Sequence, residues 1–438
     1  MFFAGVNQAI KYLADFCNFW VAPKSCKLVI DKANIKGSVM DNQLSALDKL
    51  KEVMGYFMKA WLVRQIFVAN TVNAEGFFFD LSPWDDEAPI DSPEQPLDAE
   101  QKTLEAILHS AWKATDGKKM IHIGGFVPWA WKYTNRAAGK HAAVPTEWRF
   151  AQIASAYNAY LDADALGMSA LVNASVYQHM KLDDRYPQKK PTIKDLKKKG
   201  LIGKNGNVAP KHYISFYVGD YDSAAWLYQM LPSTWDDHAR GSVPLGWAFN
   251  PNLADRLPVA LVYTRKTKTD NDYFVAGDSG AGYIHPGMLQ SPRAFSGLPQ
   301  AIDLWRQHCL PYYLRWDLTI TGFIIDGYAP AMSAESLKAY STFSPDGIVA
   351  QKIPNAGLYG KMPFKRMDYD IHGDPKRAAD RILSFVKGDA PQFYFFRTIL
   401  KTPSWHKSLF AELTSARPDL SLLDPYAFFL LLRVHEKE

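Results

Sequence analysis

The sequence is poor in several things, and each scarcity removes a class of protein. It has 3 cysteines in 438 residues, too few for a disulfide scaffold, and none stands in the CxxC spacing of structural zinc. Cys17 and Cys26 are able to pair in an exported chain; two buried free thiols are the other reading. The 11 histidines include no HExxH or HxxxH pair, so a zinc hydrolase or metal-dependent deacetylase has little support, and no GxSxG elbow occurs. No metal ligand set and no cofactor is expected. One-sided charge is missing too. Lys+Arg number 50 against 45 Asp+Glu, a net charge of +5, where a nucleic-acid binder of this size would concentrate far more positive charge on one face. Long apolar runs are also absent. The N-terminus is apolar but lacks the basic start and small-residue cleavage site of a signal peptide. Lys11 and Asp15 interrupt it, and the run 427–432 is too short to cross a bilayer. No membrane span is expected.

What the chain does have is apolar mass and rings. Hydrophobic residues make up 47% and aromatic residues 14%, with 13 Trp and 22 Tyr. That is enough for a large core, and it suits a flat amphipathic ligand such as a sugar. A helix is expected over 43–61, from apolar residues at Leu44, Leu47, Leu50, Val53 and Met54, and another over 98–112. An acidic, proline-rich stretch near 82–96 reads as a surface loop. From Lys119 the pattern becomes regular. Short apolar runs at 120–123, 170–174, 213–218, 245–249, 273–276, 320–325, 347–351 and 393–396 alternate with helical stretches at 147–166, 223–230, 301–315, 334–340 and 375–386. The expected fold is α/β. A smaller N-terminal α/β region covers 1–115, and a (β/α)8 TIM-like barrel covers 116–438. A doubly wound sheet is the alternative, disfavoured because no Gly-rich phosphate loop follows the first strand.

Polar groups gather where these strands end, which in a barrel is the catalytic face. Asp220 follows Phe216–Val218, Asn250 follows Phe249, Asp278 follows Ala276 and Asp326 follows Ile325. Burial behind Phe323, Ile324 and Ile325 should raise the pKa of Asp326, as a general acid needs, unless a cation or donor sits beside it. Glycoside hydrolysis uses two carboxyl groups, about 5–5.5 Å apart in retaining enzymes and about 6.5–9.5 Å in inverting ones. The candidate catalytic residues are therefore Asp326, Asp278 and Asp220. Each of them also suits a helix cap or a loop-amide acceptor; Asp222 and Glu147 read as helix-start residues. Candidate substrate contacts are Asn173, Asn250, Trp129, Trp247, Tyr283, His285, Tyr328 and Arg397. Rings offer stacking faces, and the amides, imidazole and guanidinium offer hydroxyl partners. Seven lysines between 189 and 204 read as a solvated face.

The string Gly280-Ala281-Gly282-Tyr283-Ile284-His285-Pro286 resembles the signature of the GxGYxYP family of putative glycoside hydrolases, with His285 at the motif's second Tyr. The blocks Asp220–Trp226, Gly246–Asn252 and Phe323–Tyr328 look like the same family, in order. The resemblance implies a barrel-like C-terminal domain, smaller N-terminal subdomains and association with sugar processing. It also implies an exported protein with a longer N-terminus, so a processed, truncated or differently targeted form is expected. The resulting expectation is a glycoside hydrolase on a polysaccharide or oligosaccharide. The alternatives are a non-catalytic carbohydrate-binding barrel and a lyase or esterase on acidic glycans.

Overall fold

The structure, a computed structural model, describes residues 77–78, 99–124, 146–161, 180–221, 226–227, 230–255 and 257–437. The expected helix at 43–61, the strand at 170–174, and Cys17, Cys26, Trp129, Asn173 and Asp222 lie outside them. The chain forms two units. One runs to Leu161 and includes Arg293–Leu298; the other comprises 162–292 and 299–438. The boundary expected near 115 falls inside the first unit.

In the first unit, β1 (Phe77–Phe78), β2 (Ile121–Gly124) and β3 (Ala159–Leu161) form a parallel sheet in the order β1-β2-β3. Helix α1 (Ala99–Ala114) buries Leu104, Ile107, Leu108 and Ala111, the i, i+3, i+4, i+7 face of an amphipathic helix. It stops where Asp116 and Gly117 turn left-handed, at φ 52° and 64°. Helix α2 (Thr146–Ala156) ends ten residues short of the expected 166, because the chain turns into β3. Arg293 is tied down inside this unit by the carbonyl of Ser155 and the Asn158 side chain.

In the second unit α3 (Ile193–Lys198) precedes the sheet, capped by Thr192 and Asp195 and exposing its lysines to solvent as expected. The sheet then builds strand by strand. It contains β4 (His212–Tyr221), β5 (Leu245–Phe249), β6 (Asp272–Ala276), β7 (Ile320–Ile324) and β8 (Gly347–Ala350). Next come β9 (Ala356–Tyr359), β10 (Met362–Arg366), β11 (Tyr369–Ile371), β12 (Gln392–Ile399) and β13 (Leu420–Leu422). The strand order is β11-β12-β4-β5-β6-β7-β8-β10-β9, with β13 also pairing β4. All pairs are parallel except β9–β10. From β4 to β8 chain order and spatial order coincide, the winding of a barrel rather than of a doubly wound sheet.

The result is a curled half-barrel, not the eight-stranded barrel expected. The strand read as the barrel's first, 120–123, is β2, and it pairs in the small sheet of the other unit. The path ends at β9 and β11, which do not pair with each other. Residues 367–368 run from β10 to β11, Met367 donating its N–H to Ala350 O of β8 and Asp368 its N–H to Phe395 O of β12, each at 3.0 Å.

Two layers cover this sheet. On one side Ile214 and Phe216 pack with α8 (Pro375–Phe385) and α9 (Pro403–Ala416), through Ile382, Leu409 and Leu413. On the other lies α10 (Pro425–His435), capped by Asp424. The 427–432 run that is too short for a membrane belongs to this helix. Phe428 and Phe429 meet Phe395 at ring distances of 5.5 and 5.7 Å, and each is fully buried, worth about 1.5–3 kcal/mol. Gly347 gives Phe429 its place, since a Cβ there would lie 2.5 Å from the ring. Among the described residues no helix is long and apolar enough to cross a membrane.

Candidate active site

Because the strands from β12 through β4 to β8 are parallel, their C-terminal ends share one rim, and the three candidate acids Asp220, Asp278 and Asp326 stand on it. Asp326 is completely buried. Its Oδ1 accepts the backbone N–H groups of Gln351 and Lys352 at 2.9 and 3.0 Å, while Oδ2 is buried with no hydrogen-bond partner. Burial raises the carboxyl pKa, outweighing those amides and the nearby Lys352 ammonium. The expected direction therefore holds even with donors present. Gln351 straps the turn from its other side, its Oε1 accepting the Gly327 N–H at 2.7 Å. Sequence reading passed over Gln351, although its place one residue beyond β8 puts it at the same rim.

Asp278 is 1% exposed and leaves β6 in a left-handed turn, with φ 50° at Asp278 and 71° at Ser279. Ser279 ties this turn to β7: its N–H donates to Phe323 O at 2.9 Å, and its Oγ accepts the Ile325 N–H at 3.0 Å. Asp278 and Asp326 thus sit on adjacent strand ends that are stitched together. Tyr340, on α7 (Ala334–Phe343), donates its hydroxyl to Ser279 O at 2.5 Å and holds the turn from behind.

Asp220 stands apart from that pair, within β4. Arg397 of β12 donates to it at 2.6 Å and to Asp370 of β11 at 3.2 Å, and the guanidinium lies 5.1 Å from the Phe323 ring. Burial opposes the charge on Arg397, but the two carboxylates more than offset this and hold its pKa well above the ordinary value. Asp220 is thereby engaged in a buried ion pair, and Arg397 has both Nη atoms committed to acids of its own chain.

The other expected contacts divide. Trp247 belongs to the core: it is fully buried against Trp235 and Tyr221, and its Nε1 donates to Asp272 at the opposite end of β6. No ring face is left for a sugar. Asn250 is buried, its Oδ1 accepting the Asn252 N–H at 3.3 Å to start a short 3-10 turn, and its Nδ2 is without a partner. Tyr283 and His285 are buried edge to face at 6.2 Å. Among the described rings of the set, Tyr328 is the exposed one, at 41%.

The first glycine of the motif serves packing. Gly280 has φ 145°, and a Cβ there would lie 2.7 Å from the Trp305 ring and 3.0 Å from Cys309 Sγ. It lets the loop pack on α6 (Ile302–Trp316), where Cys309 is a buried free thiol. Among the described residues no group of three or more His, Cys, Asp or Glu is arranged to hold a metal ion.

Residues 210–367, from just before β4 through β10, match a known family. The model they match is that of the GxGYxYP putative glycoside hydrolase C-terminal domain. No curated protein matches the sequence. Among solved structures, a putative hydrolase from Bacteroides thetaiotaomicron superposes with a TM-score of 0.53 at 17% identity, over 78% of this chain and 61% of that one. The likeness is one of fold, and this chain spans under two thirds of that protein. A putative polysaccharide deacetylase from Mycobacterium smegmatis aligns at a TM-score of 0.32 and 11% identity, over 58% of this chain and 96% of that one.

Proposed function

We propose that the GxGYxYP domain cleaves glycosidic bonds in a polysaccharide or oligosaccharide held at the C-terminal rim of the half-barrel. The observation that carries this reading is Asp326. One oxygen is anchored by two amides, the other has no protein partner, and burial favours the protonated form. A general acid needs that combination: a fixed carboxyl whose pKa is raised and which has one oxygen available to a leaving group. Asp278, on the neighbouring stitched turn, is the nucleophile or base. Asp220, ion-paired with Arg397, stabilises positive charge developing on the sugar ring or binds its hydroxyls. Asn250 and Tyr328 supply hydroxyl and ring contacts from the same rim.

The Asp220–Arg397–Asp370 cluster favours a second reading, a carbohydrate-binding domain without turnover, because it neutralises one of the three candidate acids. The acidic-glycan reading loses its cation for the same reason. A reducing-end release assay on a panel of neutral, amino and uronate-containing glycans, paired with binding to the same panel, tests the proposal. Release of sugar supports hydrolysis, and binding without release supports the second reading. Neither outcome for any glycan would reject both.

A further inference from the structure

We propose that Tyr217 is a positioning residue of this mouth, its hydroxyl fixing the Gly277 turn that presents Asp278. The inference rests on the glycosidic reading above and adds a residue that reading does not use. Tyr217 lies in β4, in register with Arg397 of β12, and is 1% exposed.

Three strand ends give up a side chain around this one ring. A Cβ on Gly219 would lie 2.5 Å from its Cε1, one on Gly322 2.7 Å from its Cδ2, and one on Gly277 2.8 Å from its hydroxyl. None of the three glycines has a positive φ, so their backbones would accept alanine. Tyr217 is the nearest obstruction at all three, joined at Gly322 by Val275 Cγ2 at 2.8 Å. Phe323 closes the remaining side edge-on at 6.0 Å, and Arg397 lies over Phe323.

The polar tip therefore sits at the root of the rim. Gly277 donates its N–H to Phe249 O at 3.0 Å, one residue before Asn250, and is followed directly by Asp278. Filling space alone would need no such arrangement, because alanines around a smaller apolar side chain pack a strand end equally well. What the three glycines secure is a phenol oxygen at the junction of the strands that carry Asn250 and Asp278.

The test uses the full chain and a glycan from the panel above, with Tyr217→Phe, Gly277→Ala and the double variant. Tyr217→Phe should lower kcat about tenfold to a hundredfold, as a displaced catalytic group does. KM should stay within about twofold and the unfolding midpoint nearly unchanged, while the pH–rate profile changes shape. Gly277→Ala should lose a comparable amount, because the new methyl displaces the hydroxyl. The double variant should be no worse than Tyr217→Phe, since the next ring atom, Cζ, would be 3.8 Å from the methyl. Wild-type kcat and pH profile in Tyr217→Phe, or losses that multiply in the double variant, would overturn the inference and leave the hydrolase reading standing. A wild type that neither binds nor cleaves any panel glycan would overturn both.

Discussion

Replacing Asp326 in two ways separates chemistry from architecture. In Asp326→Asn the amide oxygen still accepts the Gln351 and Lys352 N–H groups, now bonded at 2.9 and 3.0 Å. The buried site also no longer has to tolerate a carboxylate. Lost charge assistance and relieved desolvation oppose each other, so stability should move by only about 1 kcal/mol. In Asp326→Ala both amides lose their acceptor at about 1–3 kcal/mol each, giving a loss of about 2–6 kcal/mol. Activity should respond differently. Without the general acid, kcat should fall about 10²–10⁴-fold in both variants. The wild-type rate should decline as pH rises through the elevated pKa of Asp326, and that alkaline limb should be missing from the Asn variant. The assays are urea unfolding of the three proteins and sugar release across pH. If Asp326→Asn keeps wild-type kcat while Asp326→Ala unfolds, Asp326 is only an anchor for the 351–352 backbone and the acid assignment fails.

Arg397→Met should cost about 3–5 kcal/mol by leaving Asp220 buried without its cation. Asp220→Asn in the same protein should recover part of that loss, and a fully additive double variant in urea unfolding would count against the pair. Two buried groups should give stability opposite dependences on pH. His406, held by Thr398 and the Thr402 carbonyl, has its pKa lowered by burial to about 4. It titrates near 6.5 once unfolded, so it contributes full stability above that pH and loses about 3 kcal/mol as pH falls towards 4. Asp424, the cap of α10, is raised by burial to about 6. Its contribution is complete below about pH 4 and is lost as pH rises through 6. His406→Gln should flatten the acid side of the stability profile, and Asp424→Asn should stabilise at pH 8 but not at pH 4. Unchanged profiles in chemical denaturation would contradict these burial arguments.

Strands 213–218, 245–249, 273–276, 320–325, 347–351 and 393–396 were legible because each is a mainly apolar run ended by Gly or a polar residue, and the helices at 301–315, 334–340 and 375–386 because their periodicity is undiluted. The short strands β9, β10, β11 and β13 carry no such contrast, and the motif-bearing loop of 277–286 reads as a turn whatever it packs against. The apolar stretch of α10 was visible only as hydrophobicity. Its role against Phe395 and Gly347 depends on residues about 35 and 80 positions away. Trp247 was misjudged for a related reason. A ring just before a strand end looks the same in sequence whether it faces the rim or the core, and here its partner is Asp272.

By itself the sequence determined the local alternation of strand and helix, the run of Asp and Asn at strand ends, and the family signature, because these are properties of neighbouring residues. Tertiary structure decided which sheet each strand joins, since pairing depends on the edge available when the chain folds. It also decided that Arg397 closes on Asp220 rather than waiting for a ligand, that two amides hold Asp326 with one oxygen left over, and that three glycines make room for Tyr217. Those are distances between groups remote in the chain, and only the packed core sets them.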